Sequence, residues 1–245
     1  MKNVVYIAVC ILFFASPAYS NHFLQKADWL ILTFGSSYQY FLNESEESEK
    51  IEGNVSLGVA NCHKVPGSRF VKRMLSITEM QEQWVATIRQ LANINPNLKI
   101  ILTVSPVRHY RDGLVENNWS KARLFELIHT LITDNIGLQY FPAFEIVQDV
   151  LRDYRFYESD MVHPNKQASG YVWEQFQISN LEPAAVDLLR KIEEINTSLN
   201  HKPRFEETEA SQKFRRQLLL KMQQLKAQFP YLDYEKEISN LAEHL

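Results

Sequence analysis

Three short apolar runs, each closed by a turn residue and set apart by stretches of helical spacing, constrain this chain more than any other feature. Asp28-Trp29-Leu30-Ile31-Leu32-Thr33-Phe34 stops at Gly35, Lys99 to Val104 stops at Ser105-Pro106, and Leu138 to Phe141 stops at Pro142. Continuous apolar runs such as the first two read as strands buried on both faces of a parallel sheet, and Leu138 to Phe141, interrupted by Gln139, reads as a third short strand. Between the first two lies Ser76-Ile77-Thr78-Glu79, a capping box, which opens an amphipathic helix to about Asn93. Ser120 can cap a following helix whose Leu124, Leu127, Ile128 and Leu131 share a face. Pro142 begins another, from Ala143 to Arg152, and one more runs from Asn165 to about Gln177. Tyr38 to Leu42 and Val55 to Ala60 flank an acidic loop and read as a hairpin or an excursion from the sheet. Strand–helix alternation implies a parallel sheet with right-handed crossovers, in which ligands bind at the carboxyl ends of the strands. Gly35, Ser105 and the loop after Phe141 should therefore share one crevice.

A chain of 245 residues has room for one α/β domain with appended helices. The pattern changes near Leu181: Pro183 to Leu199, Pro203 to Phe229 and Tyr231 to Leu245 are charged and amphipathic. The expected organisation is residues 1–20 as a leader or displaced strand, 21–180 as the α/β domain, and 181–245 as a helical C-terminal extension. A net charge of −3 excludes an electrostatic nucleic-acid platform, which needs clustered cations. Cys10 and Cys62 are the only cysteines, so there is no disulfide framework and no Cys-based zinc site. No metal or other cofactor is expected.

Lys2, the apolar run Val4 to Ala15 and the small residues Ala18 and Ser20 fit a cleaved signal peptide. On that reading the protein is exported, periplasmic or extracellular, and keeps no integral membrane span after cleavage. On the other, residues 4 to 15 form a buried strand and the protein is cytoplasmic.

Four loops carry the candidate chemistry. Ser159-Asp160-Met161-Val162-His163-Pro164-Asn165 sets an acid three residues ahead of a histidine, so that Asp160 can fix the His163 tautomer for a general base. Gly35-Ser36-Ser37 lies at a strand end; it lacks the G-x-S-x-G elbow and suits an oxyanion hole or a simple turn. Asn61-Cys62-His63-Lys64 offers Asn61 as an oxyanion donor and His63 beside it, or is a polar loop. Ser105-Pro106-Val107-Arg108-His109, continued by Asn117 to Lys121, can shape a pocket and give cationic contacts to an anionic or sugar-like substrate. Arg152-Asp153-Tyr154-Arg155-Phe156-Tyr157 can wall that pocket or serve domain packing.

Asp28 to Gly35, Val59-Ala60-Asn61-Cys62-His63-Lys64, Thr103 to His109, Asn118 to Ala122, Asp153 to Tyr157 and Asp160 to Pro164 together resemble the GSCFA domain family. The resemblance spans roughly residues 22 to 180. It implies a bacterial branch of the SGNH (GDSL-like) hydrolases, a three-layer flavodoxin-like fold, and esterase chemistry in which Asp160 orients His163. Gly35 and Asn61 would then face the site, and the ligand would be a small acylated or glycan-like substrate. The family takes its name from a Gly-Ser-Cys-Phe-Ala motif whose Ser corresponds to the SGNH nucleophile. Residues 1–245 contain no such motif. The expectation is an N-terminally truncated domain and an impaired hydrolase, since a base without an activated hydroxyl loses the first step. The alternative is a non-catalytic relative that binds ligand or is a remnant.

Overall fold

A computed structural model describes residues 7–9, 23–42, 58–59, 65–134, 137–200 and 208–243, in two units that divide between Trp173 and Glu174. The first unit is mixed α/β. Its main sheet is wholly parallel, in the order β1 (Ile7–Val9), β2 (Trp29–Phe34), β6 (Lys99–Val104), β7 (Leu138–Tyr140). A second, antiparallel sheet places β3 (Tyr38–Leu42) between β4 (Gly58–Val59) and β5 (Phe70–Met74).

The β2–β6 pairing sets where the strands stop. Trp29 aligns with Lys99 and Phe34 with Val104, so both strands end at the same level. Ser105 N–H then donates to Phe34 O at 2.9 Å, and Phe141 N–H to Leu102 O at 2.9 Å. The carboxyl ends of β2, β6 and β7 thus form one edge.

Helix α1 (Ile77–Ile94) starts at the Ser76–Glu79 capping box, with both reciprocal hydrogen bonds formed. It packs with α2 (Leu114–Asp134) against one sheet face. There Leu30, Leu32 and Phe34 meet Ile100, Leu102, Val104 and the α2 stripe Leu124, Leu127, Ile128 and Leu131. Phe34 also contacts the Trp84 ring at 4.6 Å between centroids. β6 is buried on both faces from Ile100 to Val104, as its apolar run predicts. β2 differs: Leu30, Leu32 and Phe34 are buried, but Ile31 is only half-buried and Thr33 is exposed. Its apolar run is therefore covered fully on the α1–α2 face alone.

Two helices depart from the sequence expectation. α2 begins at Leu114 rather than at Ser120, because a 3-10 turn over Tyr110–Asp112 and Gly113, at φ +97°, turn the chain into the helix six residues earlier. The segment expected as a helix from Ala143 to Arg152 is one α turn, Ala143–Glu145, followed by a π-helical stretch, Ile146–Leu151. That stretch closes with Arg152 N–H on Val147 O and Arg152 itself in the left-handed region at φ +32°. Helix α3 (Lys166–Asn180) follows the Asp160–His163 loop.

The second unit holds α4 (Pro183–Asn200), α5 (Glu209–Gln228) and α6 (Glu235–Glu243) around a core of Ile195, Leu218, Met222, Leu225 and Tyr234. No described helix is long and apolar enough to cross a membrane.

Leu127 is wholly buried where α2 meets the sheet. Leu127→Ala should therefore destabilise the chain by about 3 kcal/mol, through lost transfer energy and a residual cavity, as read by urea denaturation.

Candidate functional site

At the shared edge of β2 and β6, α2 supplies a polar stripe aimed at the strand ends. The buried Ser120 hydroxyl oxygen accepts from Ser37 N–H at 2.8 Å and from the Ser37 hydroxyl at 3.1 Å. It also lies 3.2 Å from Ser36 Oγ, which accepts Tyr38 N–H at 3.1 Å. One turn of helix away, Asn117 Oδ1 accepts from His109 N–H at 2.9 Å.

Lys121 is the central contact of this network. Its ammonium donates to Gly35 O and to Ser105 O, each at 2.7 Å, and so ties the ends of the two strands together. The residue is only 3% exposed, and burial pushes its pKa down to about 8. Among the described residues no carboxylate pairs with it. His109 sits beside this lysine and is hydrogen-bonded to the Gly35 backbone; burial first, and then the Lys121 charge, hold its pKa below the usual histidine range. A Cβ added at Gly35 would meet His109 Nε2 at 3.8 Å, an ordinary contact distance, so the ring packs against this turn.

The Asp160–His163 loop is held by local bonds. Glu158 N–H donates to His163 O at 2.8 Å and Met161 N–H to Glu158 O at 3.0 Å, with Met161 in the left-handed region at φ +58°. Asp160 uses both oxygens. Oδ1 accepts the N–H groups of Val162 at 2.8 Å and His163 at 3.0 Å, and Oδ2 lies 2.6 Å from His163 Nδ1. The imidazole contact foremost, then these backbone donors, holds the Asp160 carboxyl down at about 2. An ionised carboxylate can only accept, so Nδ1 carries the proton and Nε2 of the neutral ring is the basic nitrogen. Both side chains are exposed, at 60% for His163 and 47% for Asp160.

Arg108 joins the loop to the sheet edge. Its N–H donates to Val162 O at 3.5 Å, Nη1 donates to Met161 O at 3.4 Å, and its guanidinium lies over the Tyr157 ring at 4.5 Å. Gly35, Ser36, Ser37, Ser105 and His109 are thus brought together with Ser120 and Lys121, and Arg108, three residues past Ser105, reaches the His163 loop. Asn61 and His63 lie outside the described residues.

The sequence pattern offers Asn117 to Lys121 as a segment that can shape a pocket or as a connection with a capped helix. The structure puts Asn117, Ser120 and Lys121 on the buried face of α2. The signal that could have found them is their i, i+3, i+4 spacing, in phase with Leu124 and Leu127 on the same inward stripe.

The family model for the GSCFA family matches residues 15–176. The chain belongs to the GSCFA family. The model for the C-terminal domain of GSCFA domain proteins matches residues 192–245, a stretch that takes in the helices of the second unit from within α4 onward. No curated protein and no solved structure matches. Within this GSCFA chain the Asp-x-x-His loop and the Gly35, Ser105 and Lys121 network both fall inside the first matched segment.

Lys121→Met should cost about 2–4 kcal/mol, because Gly35 O and Ser105 O lose their donor inside the protein. The pH dependence has a definite sign. A lysine in the unfolded chain titrates at about 10.4, so between about 8 and 10 the unfolded state holds more protons and Lys121 makes the parent gain stability with rising pH. Urea denaturation across that range should show the gap between parent and Lys121→Met widening.

Proposed function

We propose that the Asp160–His163 loop is the acid and base of an ester hydrolase built on a three-layer, SGNH-type α/β domain. The observation that carries this reading is the 2.6 Å contact between Asp160 Oδ2 and His163 Nδ1, which assigns the basic lone pair to Nε2. In such a reaction Nε2 removes the proton of a nucleophilic hydroxyl as its oxygen bonds to the ester carbonyl carbon. The proton then passes to the alkoxide that leaves when the C–O bond breaks. The parallel sheet, the carboxyl-edge position of Gly35 and Ser105, and GSCFA membership support this reading. Export, if residues 1–20 are a signal peptide, would place the enzyme outside the cytoplasm.

A second reading is favoured by one specific observation. Among the described residues no hydroxyl hydrogen-bonds His163, while those of Ser36, Ser37 and Ser120 are engaged with one another. The chain would then be a relative that binds ligand without turning it over.

Two proteins separate the readings. The 245-residue chain, which has no Gly-Ser-Cys-Phe-Ala segment, should hydrolyse p-nitrophenyl acetate at near-background rate, and His163→Ala should match it. Supplying that serine block ahead of the chain, as a fusion taken from another family member, should raise turnover. His163→Ala in the fusion should remove the gain, and Asp160→Asn should lower it by about 10³–10⁴-fold, as expected when the orienting acid is lost. A folded fusion with no His163-dependent turnover would favour the binding reading and sink the hydrolase one.

A further inference from the structure

Beside the Asp160–His163 loop lies a cavity of about 360 Å³ that the ester chemistry does not use. It is lined by Gln148, Asp149, Arg152, Asp153 and Tyr154 from the π-helical stretch and the turn after it, together with Tyr157 and Arg108. The volume is in the range of small-molecule sites.

The lining narrows the ligand by its chemistry. Arg108 and Arg152 are fixed donors, Asp149 and Asp153 are fixed acceptors, and the four formal charges cancel. An anion would gain the guanidiniums but face two carboxylates. A cation would meet the reverse. An apolar ligand would strand charged groups away from water. A neutral polyhydroxylated ligand is different, since each hydroxyl both donates and accepts and can pair with either kind of wall. Among the described residues neither Arg108 nor Arg152 is in an ion pair, so their N–H groups are not consumed by a carboxylate. Asp153 is partly used, as its Oδ1 caps Arg155 N–H at 2.9 Å and its Oδ2 lies 3.5 Å from Arg155 Nε.

An aromatic platform completes the wall. Tyr154 is 62% exposed although it borders the cavity, and its ring centroid sits 5.5 Å from the Arg108 guanidinium. Arg108 lies over this ring, and an exposed phenol ring bordering a cavity is a surface on which the C–H face of a pyranose can stack. The backbone is also specialised here. π-helical turns and left-handed non-glycine residues both cost energy and gather at functional sites. Ile146–Leu151 supplies the first and Arg152 the second, and together they turn Gln148, Asp149 and Arg152 onto the cavity.

We propose that this cavity binds a neutral pyranose sugar. Arg108 lines the cavity and also holds the carbonyls of Met161 and Val162, so the sugar sits next to the loop that carries His163. The proposal rests on the ester-hydrolase reading only for what the sugar carries, an acyl ester on one of its hydroxyls.

The test is saturation-transfer NMR and titration of the full chain with methyl glucopyranoside, methyl galactopyranoside, methyl mannopyranoside and N-acetylglucosamine, against glucuronate and inorganic phosphate. At least one neutral sugar should bind saturably in the millimolar range, with saturation reaching its ring C–H protons. Tyr154→Ala and Arg152→Gln, both at exposed positions, should each weaken it about tenfold or more. His163→Ala should bind as the parent does. The proposal is overturned if none of the four sugars binds, if binding survives both cavity variants, or if phosphate or glucuronate binds in preference. Loss of binding in a folded His163→Ala protein would overturn it too, because the ligand would then sit on the dyad. Sugar binding without turnover in the serine-block fusion would sink only the hydrolase reading, and turnover without sugar binding would sink only the cavity assignment.

Discussion

The level ends of β2 and β6 are the constraint on which the rest of this edge depends. Because Phe34 aligns with Val104, the carbonyls of Gly35 and Ser105 fall just beyond the last residue pair of the ladder. Carbonyls buried there need a donor, and the Lys121 ammonium serves both at once. The depressed pKa shows what this costs, since a charge taken out of water without a carboxylate partner is disfavoured. Two hydrogen bonds to carbonyls offset that penalty, and even a neutral amine could still donate to both. Ser120, the preceding residue on α2, takes Ser37 N–H in the same way. The helix thereby fixes the Gly35–Ser37 turn and the start of the Ser105–His109 segment relative to each other.

This edge combines two structural regimes. The Lys121–Ser120 network is buried and hydrogen-bonded, so its members tolerate substitution poorly. The Asp160–His163 loop is exposed and gains order from bonds made within seven residues of chain, Glu158 to Pro164, closed by the Tyr157–Pro164 bridge. Its geometry needs no hydrophobic core, and the low Asp160 pKa means the carboxylate keeps its imidazole contact until the medium becomes strongly acidic. Arg108 is where the regimes meet. Its backbone and guanidinium hold the loop, while its stack on Tyr157, which is buried, anchors it to the fold.

The parts of this fold that sequence makes legible are those set by local chemistry. The Ser76–Glu79 box and the Asp-x-x-His turn each depend on neighbours within a few residues, the Lys99–Val104 strand is marked by its own apolar run, and each is present in the structure. What is not legible depends on partners far along the chain. Ser120 looks like a helix cap until Ser37, 83 residues away, is seen to use its oxygen. Lys121 looks like a cationic contact to substrate until two strand ends close around it. The π-helical stretch reads as an ordinary helix because five-residue and four-residue hydrogen bonding leave no distinct mark on composition. The half-covered face of β2 is likewise set by which helices pack on it, and an apolar run cannot say that.

Proton placement within the serine cluster bears on how ester chemistry could use it. Ser120 Oγ accepts from Ser37 N–H and the Ser37 hydroxyl, which occupies both of its lone pairs. Its own proton must then go to Ser36 Oγ, 3.2 Å away, whose oxygen also accepts Tyr38 N–H. Ser36 is left with both lone pairs engaged and one proton to give. An oxygen in that state is a weak nucleophile, because the electron pair that must attack carbonyl carbon is already committed. It remains a competent donor. In the hydrolase reading we propose, that suits Ser36 to the developing oxyanion rather than to the attack, and the serine that attacks must come from outside this cluster.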